Sequence, residues 1–378
     1  MIYFDNAATT KMYTECEDAL RNFSIEEYFN PSALYSKSTK VKGELTRVRT
    51  ELLSSLHAPP CELIFTGSGS EADNMALFCT KKWKNAKIIV SEGEHDAVYN
   101  SALELKQQGY NVLFAPIDKC GAVDILELEK LLDENVALVS VMHASNETGV
   151  INDLKKIANL IRTKSPKAVF HSDGVQAFGK IEVNLRALGV DLYTISGHKI
   201  HAPKGVGALF IKKDVFIRPL IFGGGQEKGY RSSTENVAAI CAFGVANAKI
   251  QANFDRNYST KRTILEYFVE NLAKLVPTAL IITPLDNCLP NILTVAFSNI
   301  RGEVLLHALE NDNILVGIGS ACSAHKESRF KKLLMLDNSH RDGIVRFSFS
   351  EFSTKNEVDI TLNKIVSALK DYGGIVRV

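Results

Sequence analysis

The sequence has no run of about 18 apolar residues, which argues against a membrane-spanning helix. Its first residues, Met1-Ile-Tyr-Phe-Asp-Asn6, form neither a basic n-region nor an apolar h-region, so no secretory signal is expected. None of the seven cysteines forms a Cys-x-x-Cys pair. Scattered and odd in number, they argue against a disulfide framework or a zinc knuckle and for a reducing, cytoplasmic setting. Charge of one sign is also missing: Lys plus Arg is 44, Asp plus Glu is 43, and the net charge is +1. That balance argues against direct nucleic-acid binding or an anionic-membrane surface. There is no repeat and no low-complexity tract. What remains is the mix of an ordinary globular chain, 46% hydrophobic and 23% charged over 378 residues. This composition excludes disorder, and at roughly 150 residues per domain the length suggests two or three domains.

From about residue 44 to 260 the chain alternates helical and strand patterns. Leu45, Val48, Leu52, Leu53 and Leu56 share one helical stripe, while Cys61–Thr66, Lys87–Ser91 and Val136–Met142 read as short apolar strands. Further strands are expected at Ala168–His171, Asp191–Ile195 and Val206–Ile211. This rhythm predicts an α/β fold: βαβ units in one mostly parallel sheet flanked by helices. After Gly223-Gly-Gly225 the order becomes mixed, which predicts a smaller α+β domain beginning near residue 255. The N-terminal residues are expected to cross over and join it.

In open α/β sheets, ligands sit beyond the carboxyl ends of the strands. There the sequence delivers Gly67-Ser-Gly-Ser70, His95, His143…Asn146, Asp173…Gln176 and Ser196-Gly-His-Lys199. Gly and Ser turning into a helix N-terminus suit an anion. Gly67-x-Gly69-x-x-Ala72 also fits a dinucleotide fingerprint, with Glu92 where a ribose acceptor would sit, so an NAD-dependent oxidoreductase is a rival reading. That reading leaves Asp173 and Lys199 unexplained. Pyridoxal phosphate explains both, because it needs a lysine to hold its aldehyde and an acid at its pyridine nitrogen. His198 and His201 lack an evident third ligand, so no metal site is expected. Cys322, in Gly319-Ser-Ala-Cys322-Ser-Ala-His325-Lys326, reads as an exposed loop thiol, either a nucleophile whose thiolate His325 or Lys326 would favour or a structural turn cysteine. Arg346 interrupts an apolar strand and needs an anionic partner, either a substrate carboxylate or an internal Asp or Glu.

Taken together, the chain resembles the cysteine desulfurases of the NifS/IscS type, within the fold-type I, class V aminotransferase group of pyridoxal phosphate enzymes. The resemblance is carried by Tyr3-Phe-Asp-Asn-Ala-Ala-Thr-Thr10, Phe29-Asn-Pro-Ser32, Ser70-Glu-Ala-Asp-Asn74, Ser196-Gly-His-Lys199, Arg231-Ser-Ser-Thr234, Gly319-Ser-Ala-Cys322 and Arg346-Phe-Ser348. It implies that Lys199 binds the cofactor covalently and that Asp173 pairs with the pyridine nitrogen. Gln176 would contact the ring oxygen and His95 would stack on the ring. Gly69, Ser70, Ser196 and His198 would hold the phosphate, with Thr234 reaching it from the second subunit of a homodimer. Asn146 and Arg346 would bind the substrate, with Asn30 at the same edge. L-cysteine would lose its sulfur to Cys322 as a persulfide, leaving alanine, and the sulfur would pass to an acceptor protein for iron–sulfur cluster assembly or for tRNA or cofactor thiolation. The implied division is residues 1–15 joining the small domain, 16–255 forming the large cofactor domain, and 256–378 forming the small domain with the Cys322 loop. The phosphate turn departs from the usual Ser-Gly-Ala-Thr, but Ser70 keeps a hydroxyl. A selenocysteine lyase, another class V enzyme and a non-catalytic sulfur-trafficking protein are the remaining alternatives.

Overall fold

The computed structural model describes residues 1–80, 82–318, 333–334 and 336–373. Among these the strands are β1 (Ile2–Tyr3), β2 (Cys61–Thr66), β3 (Lys87–Ser91), β4 (Asn111–Ala115), β5 (Val136–Ser140), β6 (Val169–Asp173), β7 (Leu192–Ser196), β8 (Gly207–Lys212), β9 (Leu280–Ile281), β10 (Ile292–Ala296), β11 (Ile314–Leu315) and β12 (Ile344–Ser348). A seven-stranded sheet runs in the order β2-β8-β7-β6-β5-β3-β4. Its strands pair in parallel except at β8, which is antiparallel to both β2 and β7. The expected α/β fold with a mostly parallel sheet is the one observed. Strand β4 is an addition to the expected set: Asn111-Val-Leu-Phe-Ala115 lies at the sheet edge, with only Val112 and Ala115 buried.

Central strands are buried on both faces. Every residue of β5 and β7 is buried, which is why β5 reads as an unbroken apolar run rather than an alternation. Each large apolar side chain buried this way contributes about 1.5–3 kcal/mol. The helices that cover the large sheet are α1 (Thr14–Arg21), α2 (Ser36–Ser55), α3 (Gly69–Cys79), α4 (Asp96–Gln107), α5 (Ile125–Leu131), α6 (Leu154–Lys164), α7 (Leu185–Leu188) and α8 (Val237–Ala252). Helix α6 shows how they form. Leu154, Ile157, Ala158 and Ile161 make a stripe at three- and four-residue spacing, and the Asp153 carboxylate caps the Lys156 amide at 3.0 Å.

Helix α9 (Phe254–Leu275) follows α8 across Asn253 and turns to a second core. There Ile264, Leu265, Phe268 and Leu272 meet Leu293, Val295 and Phe347 of the antiparallel sheet β12-β10-β9. Helices α10 (Gly302–Glu310) and α11 (Lys355–Tyr372) complete this layer, and a Thr354–Glu357 capping box starts α11. Ile2 and Phe4 lie in the same core, and β1 pairs in parallel with β11. From that core the N-terminal segment runs back to the edge of the large sheet. Asp5 bridges Ser348 on the small-sheet side, and five residues later Thr10 donates to the His198 carbonyl at 2.9 Å. No described helix is long and apolar enough to cross a membrane.

Candidate active site

A cleft of about 240 Å³ opens at the C-terminal edge of the large sheet. Gly69, Ser70, His95, Asn146, Asp173, Gln176, Ser196, His198, Lys199 and Arg346 all line it. These residues come from separate segments of the chain, and the strand ends deliver them.

Strand β2 ends in the turn that starts α3. The Ser68 side chain caps this helix by accepting from the Glu71 amide at 3.1 Å. First-turn amides of a helix have no internal partner and face an anion with the positive end of the helix dipole. Gly69 is needed for close approach: a Cβ there would meet Val175 Cγ2 at 2.9 Å and Ser196 Cβ at 3.3 Å. Ser196, at the end of β7, buries a hydroxyl oxygen that has no hydrogen-bond partner among the described residues. An oxygen-rich anion in this cradle satisfies it.

Asp173 ends β6 on the cleft floor and accepts from the Val175 amide at 2.9 Å. Burial pushes its pKa up, opposed by the charges of His95 and Lys199 and by that amide. A buried carboxylate in this condition is stabilised by a cation placed against it. Lys199 follows β7, and its Nζ donates to the carbonyls of Ala7 and Ala8, each at 2.7 Å. His95 caps α4, its Nδ1 accepting from the Ala97 amide at 3.1 Å. His198 has its pKa pushed down to about 3 by burial and by Lys199, Lys204, Lys180 and His95, so its ring is neutral.

Arg346 is buried in β12. It donates to the Asn146 carbonyl at 2.8 Å and to Asp5 Oδ1 at 2.9 Å, and its Nε has no partner among the described residues. The internal carboxylate allowed by the sequence is thus present, and it is Asp5 from the crossed-over N-terminus. The guanidinium still lines the cleft and keeps one buried donor unmatched.

Two expected residues lie elsewhere. Asn30 is exposed, is not among the cleft-lining residues, and spends its Oδ1 on the Ser32 amide at 2.9 Å. Within this chain the segment turns on itself and does not line the cleft. Thr234 is exposed and does not line the cleft of its own chain. Cys322 lies outside the described residues.

Sequence reasoning also missed some cleft residues. Asp73 is buried on the inner face of α3, and burial with the charge of Asp173 raises its pKa well above the carboxylate range. The signal was available: Asp73 lies four residues after Gly69, on the buried face with Ala72 and Ala76. Ala7 and Ala8, the acceptors for Lys199, had no such signal.

The dinucleotide reading does not survive the topology. Strand β2 is the edge of the sheet, and four strands separate it from β3, which Glu92 follows. Glu92 is not among the cleft-lining residues, so the turn and its supposed ribose acceptor do not frame one ligand. As for metals, His198 Nδ1 meets Thr9 Oγ1 at 3.2 Å and His201 Nδ1 donates to the Lys11 carbonyl at 2.7 Å.

A lysine amine, a buried carboxylate and an anion cradle around one cleft define a pyridoxal phosphate protein of the large-sheet type. The orphaned Ser196 hydroxyl, the Gly69 approach and the raised Asp173 are what that cofactor's phosphate and pyridinium fit. The chain belongs to the class-V aminotransferase family, whose model matches residues 2–361 and whose members use pyridoxal phosphate. It is 36% identical to Cysteine desulfurase 2 of Trichormus variabilis, over 96% of this chain and 91% of that protein. Among solved structures, a NifS-like protein superposes with a TM-score of 0.90 at 34% identity, covering 98% of this chain and 99% of that one. SspA in complex with cysteine superposes at 0.79 with 25% identity, covering 94% and 100%.

Proposed function

We propose that the chain is a pyridoxal phosphate-dependent cysteine desulfurase that converts L-cysteine to L-alanine and transfers the sulfur through Cys322. The observation that carries this reading is the convergence of Lys199, Asp173 and Arg346 on one cleft. When bound, the cofactor supplies an aldehyde that attaches amines and a ring that takes up the electron pair left when a proton leaves the substrate's α-carbon.

The protein's own groups do the rest. Lys199 Nζ would hold the cofactor's aldehyde and, once released, would be placed to carry the substrate's α-proton. Asp173 keeps the ring nitrogen protonated, because a carboxylate raised by burial is matched by that cation. Gly69, Ser70, Ser196 and His198 would hold the cofactor's phosphate, and the His95 ring lines the same cleft, where it would contact the cofactor. Arg346 takes the substrate carboxylate, aided by Asn146. Cys322 attacks the substrate sulfur as thiolate; the S–S bond forms as the C–S bond breaks, and the β-carbon takes the electron pair and a proton to leave alanine. Gly317, in the stretch that leads to Cys322, pairs its backbone with Arg346, which supports a thiol working at this end of the cleft.

Three further elements belong to the proposal: a second copy contributing Thr234, a sulfur-acceptor protein that takes the persulfide, and a reducing cytoplasmic compartment. The division at residues 1–15, 16–255 and 256–378 also belongs here, supported by the change of core between α8 and α9. The test is turnover of L-cysteine to alanine by the purified protein, with borohydride reduction and digestion to locate the cofactor. A pyridoxyl adduct at Lys199 and persulfide formation that disappears in Cys322→Ser are expected. No adduct, or normal persulfide formation in the serine variant, sinks the proposal.

A further inference from the structure

Lys180 lies in the turn after β6 and is buried behind the cleft. Its Nζ donates to Gln176 Oε1. The charged groups around it are the wrong sign for stability. Burial, together with the cations Lys199, Lys261 and Arg346, pushes its pKa well below the usual lysine range, and His198 in turn feels its charge. Glu351 lines the same small chamber, but it is already bonded to Tyr13 and lies 3.4 Å from His201 Nε2. That chamber, about 10 Å³, has room for about one water molecule. A buried amine among cations costs folding free energy, and such a cost marks a residue kept for another reason.

The hydrogen bonds show what that reason is. The Ala7 carbonyl can only accept, so Gln176 presents Nε2 to it at 2.9 Å. The Gln176 Oε1 must then face Lys180, which can donate. Both partners select one orientation of the amide, and the second N–H of Nε2 remains for an acceptor in the cleft. The same Ala7 carbonyl receives Lys199 Nζ at 2.7 Å, so one oxygen links the two lysines and the glutamine.

We propose that Lys180 is a positioning residue that orients and polarises Gln176 so that its amide donates to the anionic ring oxygen of bound pyridoxal phosphate. Chained donors strengthen one another in a low-dielectric site. The proposal rests on the cofactor reading of the cleft. It predicts that Lys180 lowers the pKa of the Lys199–cofactor linkage, since the hydrogen bond it reinforces draws charge from the ring oxygen and so opposes a proton on the linkage nitrogen.

The test is a pH titration of the cofactor's visible band without substrate, in the wild type, Lys180→Met, Gln176→Leu and the double variant. Lys180→Met is expected to raise the linkage pKa by on the order of one unit. In the Gln176→Leu background the same change should add little, because the residue acts through the glutamine. The melting temperature of cofactor-free Lys180→Met should hold or rise. An unmoved titration, or an equal shift in both backgrounds, overturns the proposal, as does a lower melting temperature with a normal band. If Lys180→Met does not fold, Lys180→Gln is read in the same cycle against the same criteria. A wild type without the Lys199 adduct would instead defeat the cofactor reading, so the two failures are distinguishable.

Discussion

The two walls of the cleft treat buried charge differently. On the large-sheet side, Asp173 is buried with a backbone amide as its hydrogen-bond donor, and its pKa is raised. On the small-sheet side, Arg346 is also buried but already has Asp5 and the Asn146 carbonyl. The first wall holds a charge that a cationic ring completes. The second holds a charge that already has an internal carboxylate and keeps its Nε unmatched among the described residues. On the proposed reading, the cofactor side gains stability from its ligand, whereas the substrate side is organised beforehand and offers an unmatched Arg346 Nε to the incoming carboxylate.

This contrast can be broken by substitution. Lys199→Ala should lower alanine formation from L-cysteine by on the order of 10⁴-fold or more, since it removes the covalent anchor and the proton carrier together. A smaller loss means that another group does this work. Asp173→Asn removes only the ring's counter-charge, and turnover should fall about 10²- to 10³-fold, with weaker cofactor retention measured by dialysis. Arg346→Lys keeps charge but loses the fork. KM for L-cysteine should rise about 10- to 100-fold, the value of a charge-assisted hydrogen bond, with kcat less affected. An equal fall in kcat would place Arg346 with the cofactor wall instead.

The smallest effect concerns stability rather than catalysis. Burial disfavours ionised Glu351, but the hydrogen bond and charge of His201, the charge of Lys261 and the Tyr13 hydroxyl overcome it and hold its pKa at about 2. A folded pKa below the ordinary 4.5 gives stability that is complete above about pH 4.5 and is lost as pH falls through about 2. The melting temperature of the wild type should therefore fall more steeply than that of Glu351→Gln as the solution is acidified through this range. Parallel curves would show that the pair contributes nothing.

Much of the sheet is legible because buried parallel strands are apolar throughout and need no partner to be recognised. Strand β4 is not, since much of its surface stays open at the sheet edge. The reversal of β8 is also hidden, because Gly207–Lys212 has the composition of its parallel neighbours and direction depends on the connection. In the site, Lys199, Asp173 and Ser196 are readable as polar residues at strand ends. Asn30 is not, because a polar residue beside Pro31 is compatible with a self-contained turn, and that turn is what forms.

The residue types that perform chemistry, and the strand ends that present them, were determined by local sequence, because burial patterns and turn chemistry act over a few residues. Which backbone oxygens receive Lys199, which carboxylate meets Arg346 and which carbonyl turns the Gln176 amide were decided by tertiary structure. Ala7 lines the cleft and Asp5 meets Arg346 because β1 packs into the distant small-sheet core. No local pattern carries that information, since these partners are far apart in the chain and meet only when the two cores close on each other.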